Sequence, residues 1–162
     1  MRRYQLIPAV VLALLCFAPV VQAQPPPDTR PPVQPLADWA SYGTAIVNPA
    51  VAAIQAWRSP RRGCRLGQLA ISEAVGNGTA LLLKRLIVSP RPCLGCASDG
   101  FPSGHTLNST IGFSSSWRVG VGFAWSTAAL RATAHRHTAR QVAAGALLGI
   151  GAEAAGHLLT CP

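Results

Sequence analysis

The sequence predicts an all-α protein, and three observations carry that reading. From Leu36 onward the chain is rich in Ala, Leu and Gly, and runs that alternate apolar and polar at the two-residue period of a strand are scarce. Proline and glycine cut the chain into a few long segments instead of many short ones. Helix start signals stand where those segments open: Ser103 before Gly104, and Thr138 followed three places on by Gln141.

Helices are expected at roughly 37–57, 66–88, 104–130 and 138–159. The second should stop at Val88 or Ser89, because Pro90 disfavours helix for its predecessor and cannot continue one. The third opens at the Pro102-Ser103-Gly104 turn with Ser103 as N-cap. The fourth begins at the Thr138/Gln141 capping-box spacing.

The first 35 residues read differently. Met1-Arg2-Arg3 is a short basic start, Leu6 to Val21 is apolar, and Val21-Gln22-Ala23 has the small-residue pattern of a cleavage site. This is the pattern of a signal peptide spanning 1–23, with export to the periplasm as the expected outcome. An uncleaved anchor facing the periplasm is the alternative. Residues 24–35 are proline-rich and are expected to form a poorly ordered leader before one domain over 36–162. None of the remaining helices is both long and uncharged enough to span a bilayer. A water-soluble domain is therefore favoured over an embedded one, with association at a membrane surface left open.

The chain of 162 residues carries 14 Lys and Arg against 5 Asp and Glu, a formal charge of +9. Such an excess concentrates anions of any kind, so charge alone does not choose among nucleic acid, anionic lipid and phosphate esters. No aromatic-plus-basic nucleic-acid motif is visible, and nucleic acid is not expected as a partner. Cys64, Cys93, Cys96 and Cys161 remain after the leader, an even number that fits disulfides in an exported protein and allows three pairings. Cys93-Leu94-Gly95-Cys96 reads as a staple ahead of a redox pair, and without a second half it does not make a zinc site.

Three motifs carry chemistry: Lys84-x6-Arg91-Pro92, Pro102-Ser103-Gly104-His105 and Arg131-x5-His137. Cations from three places can surround one tetrahedral anion, and guanidinium forks match phosphate oxygens two at a time. Backbone N–H groups of Ser103 and Gly104 at a helix start can add donors. Histidine suits nucleophilic and acid–base work because its pKa lies near neutrality.

In order and separation, these motifs over residues 84–145 resemble the three-part signature of the type 2 phosphatidic acid phosphatases. That superfamily also holds bacterial acid phosphatases and vanadium haloperoxidases. The resemblance implies a compact helical bundle with a phosphate pocket built at helix ends. It implies a phosphoric ester hydrolase without metal or other cofactor, acting on a phosphomonoester or a lipid phosphate or pyrophosphate. His137 would be the nucleophile and form a phosphohistidine, and His105 the general acid and then base. Lys84, Arg91, Ser103, Gly104 and Arg131 would bind phosphate. The chain departs from the pattern at two places: Leu130 stands where the family has Ser, and Gln141 where it has the Asp that orients the nucleophile. Gln141 is therefore expected either to accept a hydrogen bond from His137, four residues away on a helix face, or to complete the capping box with Thr138. A catalytically weak phosphate-binding protein, a vanadate-dependent peroxidase and a basic surface-binding module are the competing readings.

Overall fold

In a computed structural model, the described residues are 33–93, 96, 98–112 and 117–160. The expected signal peptide and most of the leader lie outside them. Five helices make up the described part: α1 Val33–Arg58, α2 Arg62–Leu86, α3 Gly104–Thr110, α4 Trp117–Thr133 and α5 Ala139–Thr160. No strand occurs among the described residues, so the described part is all-helical, with one isolated bridge between Ser89 and Asp99.

The helix ends follow local chemistry. α1 opens at Val33, inside the stretch expected to be an unstructured leader, because Pro35 falls in the first turn, where a missing N–H costs nothing. α2 stops at Leu86, two residues before the expected end. The Ile87 N–H closes the last turn on the Leu83 carbonyl at 2.8 Å, and Ile87 is already extended, which sets up the Ser89–Asp99 bridge ahead of Pro90. At the Ser103 N-cap the backbone is extended as expected, but its hydroxyl makes no cap bond and accepts instead from Thr106 Oγ1 at 3.1 Å.

One expected helix, 104–130, is two. α3 ends at Thr110, Gly112 adopts φ +89°, and α4 starts at Trp117. The break is held from outside. Asn48 Nδ2 donates to the carbonyls of Ser109 (2.8 Å) and Ile111 (2.9 Å), and the Gly112 N–H donates to Glu153 Oε2 at 2.6 Å. Positive φ is a conformation glycine adopts freely, and here a Cβ would also strike Ala52 Cβ at 2.5 Å.

Short α3 is the centre of the bundle: it packs against α1, α2, α4 and α5. Leu107 and Ile111 are fully buried and cluster with Ala80 and Leu148. α5 reaches α3 and α2 through a seam of small residues, Gly145, Gly149, Ala152 and Gly156, spaced at helical intervals. A Cβ at Gly149 would lie 2.7 Å from the Leu107 carbonyl and 2.8 Å from Thr110 Cβ. Gly78, by contrast, has nothing within 4 Å of such an atom.

These two glycines predict opposite outcomes. Gly149→Ala should overpack the seam and cost about 1–3 kcal/mol. Gly78→Ala should be neutral or stabilise by up to about 1 kcal/mol, since alanine is the better helix former. Helix loss on heating, followed by circular dichroism, separates them; equal midpoints would sink the close-packing account of α5.

Candidate active site

The first and second motifs meet because the loop between α2 and α3 folds back on itself. Ser89 N donates to the Ser98 carbonyl (3.0 Å), and Gly100 N to the Ser89 carbonyl (2.8 Å). This brings Asp99 to Lys84 and Arg91. Lys84 Nζ donates to the Asp99 carbonyl, while Arg91 reaches Asp99 Oδ1 through Nε (3.0 Å) and NH2 (2.9 Å). Cys93 and Cys96 are disulfide-bonded within the same loop. The Phe101–Pro102 peptide bond at the entry to α3 is cis.

A cavity of about 400 Å³ gathers Lys84, Arg91, Gly104, His105 and His137, five of the eight residues that the sequence singles out. Tyr42, Asp99 and Asn108 complete its polar wall. Tyr42 stands edge-on to the His105 ring, with centroids 4.3 Å apart. Gly104 leaves open space where a side chain would be.

Arg131 lies behind this wall, 2% exposed. Its NH1 donates to Asp38 Oδ1 (2.6 Å) and Ser41 Oγ (3.2 Å), and its buried Nε has no hydrogen-bond partner. Asp38 Oδ2 pairs with Arg136 NH2 at 2.7 Å. One carboxylate on α1 therefore holds the arginine of α4 and the arginine of the loop that carries His137. Asp38, Tyr42 and Asp99 all escape a reading by motif, because each lies outside the three signatures.

His137 is 3% exposed and its Nδ1 lies 2.9 Å from the Gly100 carbonyl. A carbonyl only accepts, so Nδ1 carries the proton and Nε2 keeps its lone pair. Burial and the charges of Arg131, Arg91 and Lys84 push the His137 pKa down to about 3, so the ring is neutral at pH 7. His105 is lowered to about 4 by burial and by Arg131, with Asp38 pulling the other way.

Two expectations are corrected. Gln141 does not serve His137. Its Oε1 accepts from the Thr138 N–H (2.9 Å), and its Nε2 donates to Ser89 Oγ (2.9 Å) and the Pro90 carbonyl (3.0 Å). The capping box wins because the box closes within one turn, whereas His137 turns to a carbonyl already beside it. Ser103 is fully buried and its N–H is spent on the Gln141 carbonyl at 2.9 Å, so it does not present a donor to the cavity.

No protein-family model, curated protein or solved structure matches the chain. Lys84, Arg91, Arg131 and Arg136 face two carboxylates, Asp38 and Asp99, which leaves an excess of positive charge around two neutral imidazoles. Such a site attracts an anion, offers it guanidinium and ammonium donors, and holds an unprotonated ring nitrogen beside it. Among the described residues no cluster of His, Cys, Asp and Glu suited to a metal ion occurs.

The corrected role of Gln141 makes a prediction. Gln141→Asp loses both Nε2 bonds and sets a carboxylate against the Pro90 carbonyl. Denaturant unfolding should show a loss of about 1–3 kcal/mol. Turnover of any phosphate ester should not rise; a faster variant would return Gln141 to the histidine.

Proposed function

We propose that the chain is a metal-independent phosphatase that hydrolyses phosphate esters through a phosphohistidine at His137. The observation that carries the reading is His137 itself: a buried imidazole whose Nδ1 proton is held by the Gly100 carbonyl, with Nε2 free to attack, lining a cavity with Lys84 and Arg91. The three motifs and their resemblance to the type 2 phosphatidic acid phosphatases support it.

The chemistry follows from the positions. Lys84 and Arg91 bind the non-bridging oxygens, and Arg131, buried behind the cavity wall, adds its positive charge from there. His137 Nε2 attacks phosphorus as the ester P–O bond breaks, and His105 gives its proton to the leaving oxygen. Water then attacks the phosphorus and His105 takes the proton, the P–N bond breaks, and phosphate leaves. The substrate is a phosphomonoester or a lipid phosphate or pyrophosphate, met on the outer side of the membrane after export.

Hydrolysis of an aryl phosphate in the presence of chelator tests the reading. The wild-type chain should turn over, vanadate should inhibit, and His137→Ala should lose activity by at least about a thousandfold while still binding vanadate. Vanadate binding without turnover in the wild type would favour a phosphate-binding protein that has lost catalysis.

The pH profile tests the division of roles. His137 must be neutral to attack, so activity is lost as pH falls through its pKa, about 3. His105 must be protonated to act as acid, so kcat/KM should fall as pH rises through about 4 in the free protein. A bound ester anion offsets the surrounding cations and raises the His105 pKa, so the alkaline limb of kcat should lie at higher pH than that of kcat/KM. Coincident limbs, or kcat/KM rising toward alkaline pH, would rule out His105 as the acid.

A further inference from the structure

The bundle exposes many large apolar residues and buries nearly as many polar residues as hydrophobic ones. Of the fourteen buried hydrophobic residues among those described, eight are alanines, while sixteen large hydrophobic residues are exposed. Buried positions hold Ser41, Asn48, Ser72, Ser109, Thr127, Arg131, Gln141 and Glu153. Scattered exposed apolar residues are ordinary in a water-soluble domain, but a continuous apolar exterior is not.

The outward residues have a consistent layout. Between Trp39 and Trp57 the exposed residues of α1 are Trp39, Ala40, Tyr42, Gly43, Ile46, Val47, Ala50, Ile54, Gln55 and Trp57, without a charge, and of these Tyr42 and Ile46 border the cavity. Its polar residues Asp38, Ser41 and Asn48 turn inward to Arg131, Arg136, Ser109 and Ile111. On α2 the exposed positions between Arg65 and Arg85 are Ala70, Ala74, Val75, Gly78, Leu81 and Leu82. Glu73, the acidic residue in that stretch, is half-buried and accepts from Asn77 Nδ2 at 2.7 Å. On α5 the exposed positions between Arg140 and His157 are Ile150 and Ala154, with Glu153 turned inward to Gln68 and Gly112. Against the expectation drawn from its shorter uncharged run, α5 is also long and apolar enough, by length and composition, to cross a membrane.

We infer that the outer face of α1, α2 and α5 sits in a lipid bilayer, with the phosphate cavity at one headgroup level and the α1–α2 turn at the other. The spacing of the charges selects this occupant. Arg65 to Lys84 on α2 spans about 28 Å at the helical rise, and Trp39 to Trp57 on α1 about 27 Å. Both are close to the ~30 Å of a bilayer's hydrocarbon core. Tryptophans stand at the two ends of α1, where aromatic belts lie, and Arg62 covers the Trp57 ring at 5.9 Å. Arg58, Arg61, Arg62 and Arg65 are all exposed around the turn, placed for anionic headgroups. An apolar groove of about 640 Å³ between α4 and α5, lined by Val121, Trp125, Leu147 and Ile150, opens onto the same exterior and suits an acyl chain better than water. The small-residue seam of α5 fits too, since helices in lipid pack through glycine and alanine. Hydropathy averaged around a whole helix hides this layout, because inward polar residues cancel the outward apolar ones in α1 and α2.

Tryptophan fluorescence tests it without relying on the leader, since every tryptophan lies at or beyond residue 39. The full chain is reconstituted in phosphatidylcholine–phosphatidylglycerol vesicles whose acyl chains carry bromine at set depths, using variants that keep a single tryptophan. Trp125, midway along α4, should be quenched best by deep bromines, Trp39 and Trp57 by bromines near the headgroups, and none strongly by aqueous iodide. Iodide quenching without bromolipid quenching would mean a domain held in water by its leader and would overturn the inference. Protection from both quenchers would mean that a second copy covers the face, and would overturn it equally. The same measurement on His137→Ala keeps the result separate from catalysis: bromolipid quenching with no phosphatase activity in the wild type would sink the proposed function and leave the membrane face standing.

Discussion

A buried guanidinium is the constraint around which the site end of the bundle is arranged. Arg131 is 2% exposed, and an unpaired charge at that depth would be prohibitively costly. Asp38 meets it, and Asp38 lies on the first helix, 93 residues earlier. The pairing therefore fixes α1 against α4, and through Arg136 it fixes the loop that carries His137. After burial itself, Arg131 is also the strongest influence depressing both histidines. The arrangement of helices and the protonation state of the chemistry thus share one cause. Ion pairs of this kind are a weak source of net stability but a strong source of register, because removing either partner strands the other.

How His137 is oriented would have a consequence for the proposed chemistry. A carboxylate beside Nδ1 would both fix the tautomer and stabilise the positive charge that develops on the ring. The Gly100 carbonyl fixes the tautomer and supplies only a dipole. In the proposed reaction the ring would become cationic in a cavity that already holds an excess of positive charge, and the phosphoryl group itself would have to supply the offsetting negative charge. Gly100 is where it is because a Cβ there would strike Gln141 and the Ser89 carbonyl. Gln141 in turn is held by Thr138, Ser89 and Pro90. The residue that stands where a carboxylate is expected therefore acts one step removed, on the backbone that holds the histidine.

What the sequence makes legible follows the range of the interaction. Proline and glycine act on their own neighbours, so the helical class and the end of α2 near Pro90 could be read directly. The capping box is an i, i+3 relation and was readable too, although its choice over His137 was not. The break after α3 was not readable from propensity, because its cause lies in Asn48 and Glu153, which come from α1 and α5. Lys84, Arg91, Gly104, His105 and His137 could be picked out as chemistry-bearing residue types at a recognisable spacing. Asp38 and Asp99 could not, since an isolated carboxylate resembles any surface acid until the fold places it against an arginine. Gly100 acts through a carbonyl, and every residue has one.

The distribution of polarity links these levels. A bundle whose interior holds Arg131, Glu153, Asn48 and Gln141 needs each of them tied to neighbours, and the interhelical bonds described above do this. Large side chains would hold the helices too far apart for such short bonds. Around the small core of Leu107, Ile111 and Leu148, alanine and glycine line the interior instead, and sixteen other large hydrophobic side chains lie at the exterior. In water that exchange would forfeit much of the hydrophobic stabilisation, which depends on removing large apolar side chains from solvent. In lipid nothing is forfeited, because hydrocarbon solvates those side chains, and the polar interior gains a low-dielectric surrounding that strengthens its bonds. The close-packed interior with its buried polar groups, the charge-free exposed stretches of α1 between Trp39 and Trp57 and of α2 between Arg65 and Arg85, and the cationic cavity at one end are therefore mutually dependent features of a single fold.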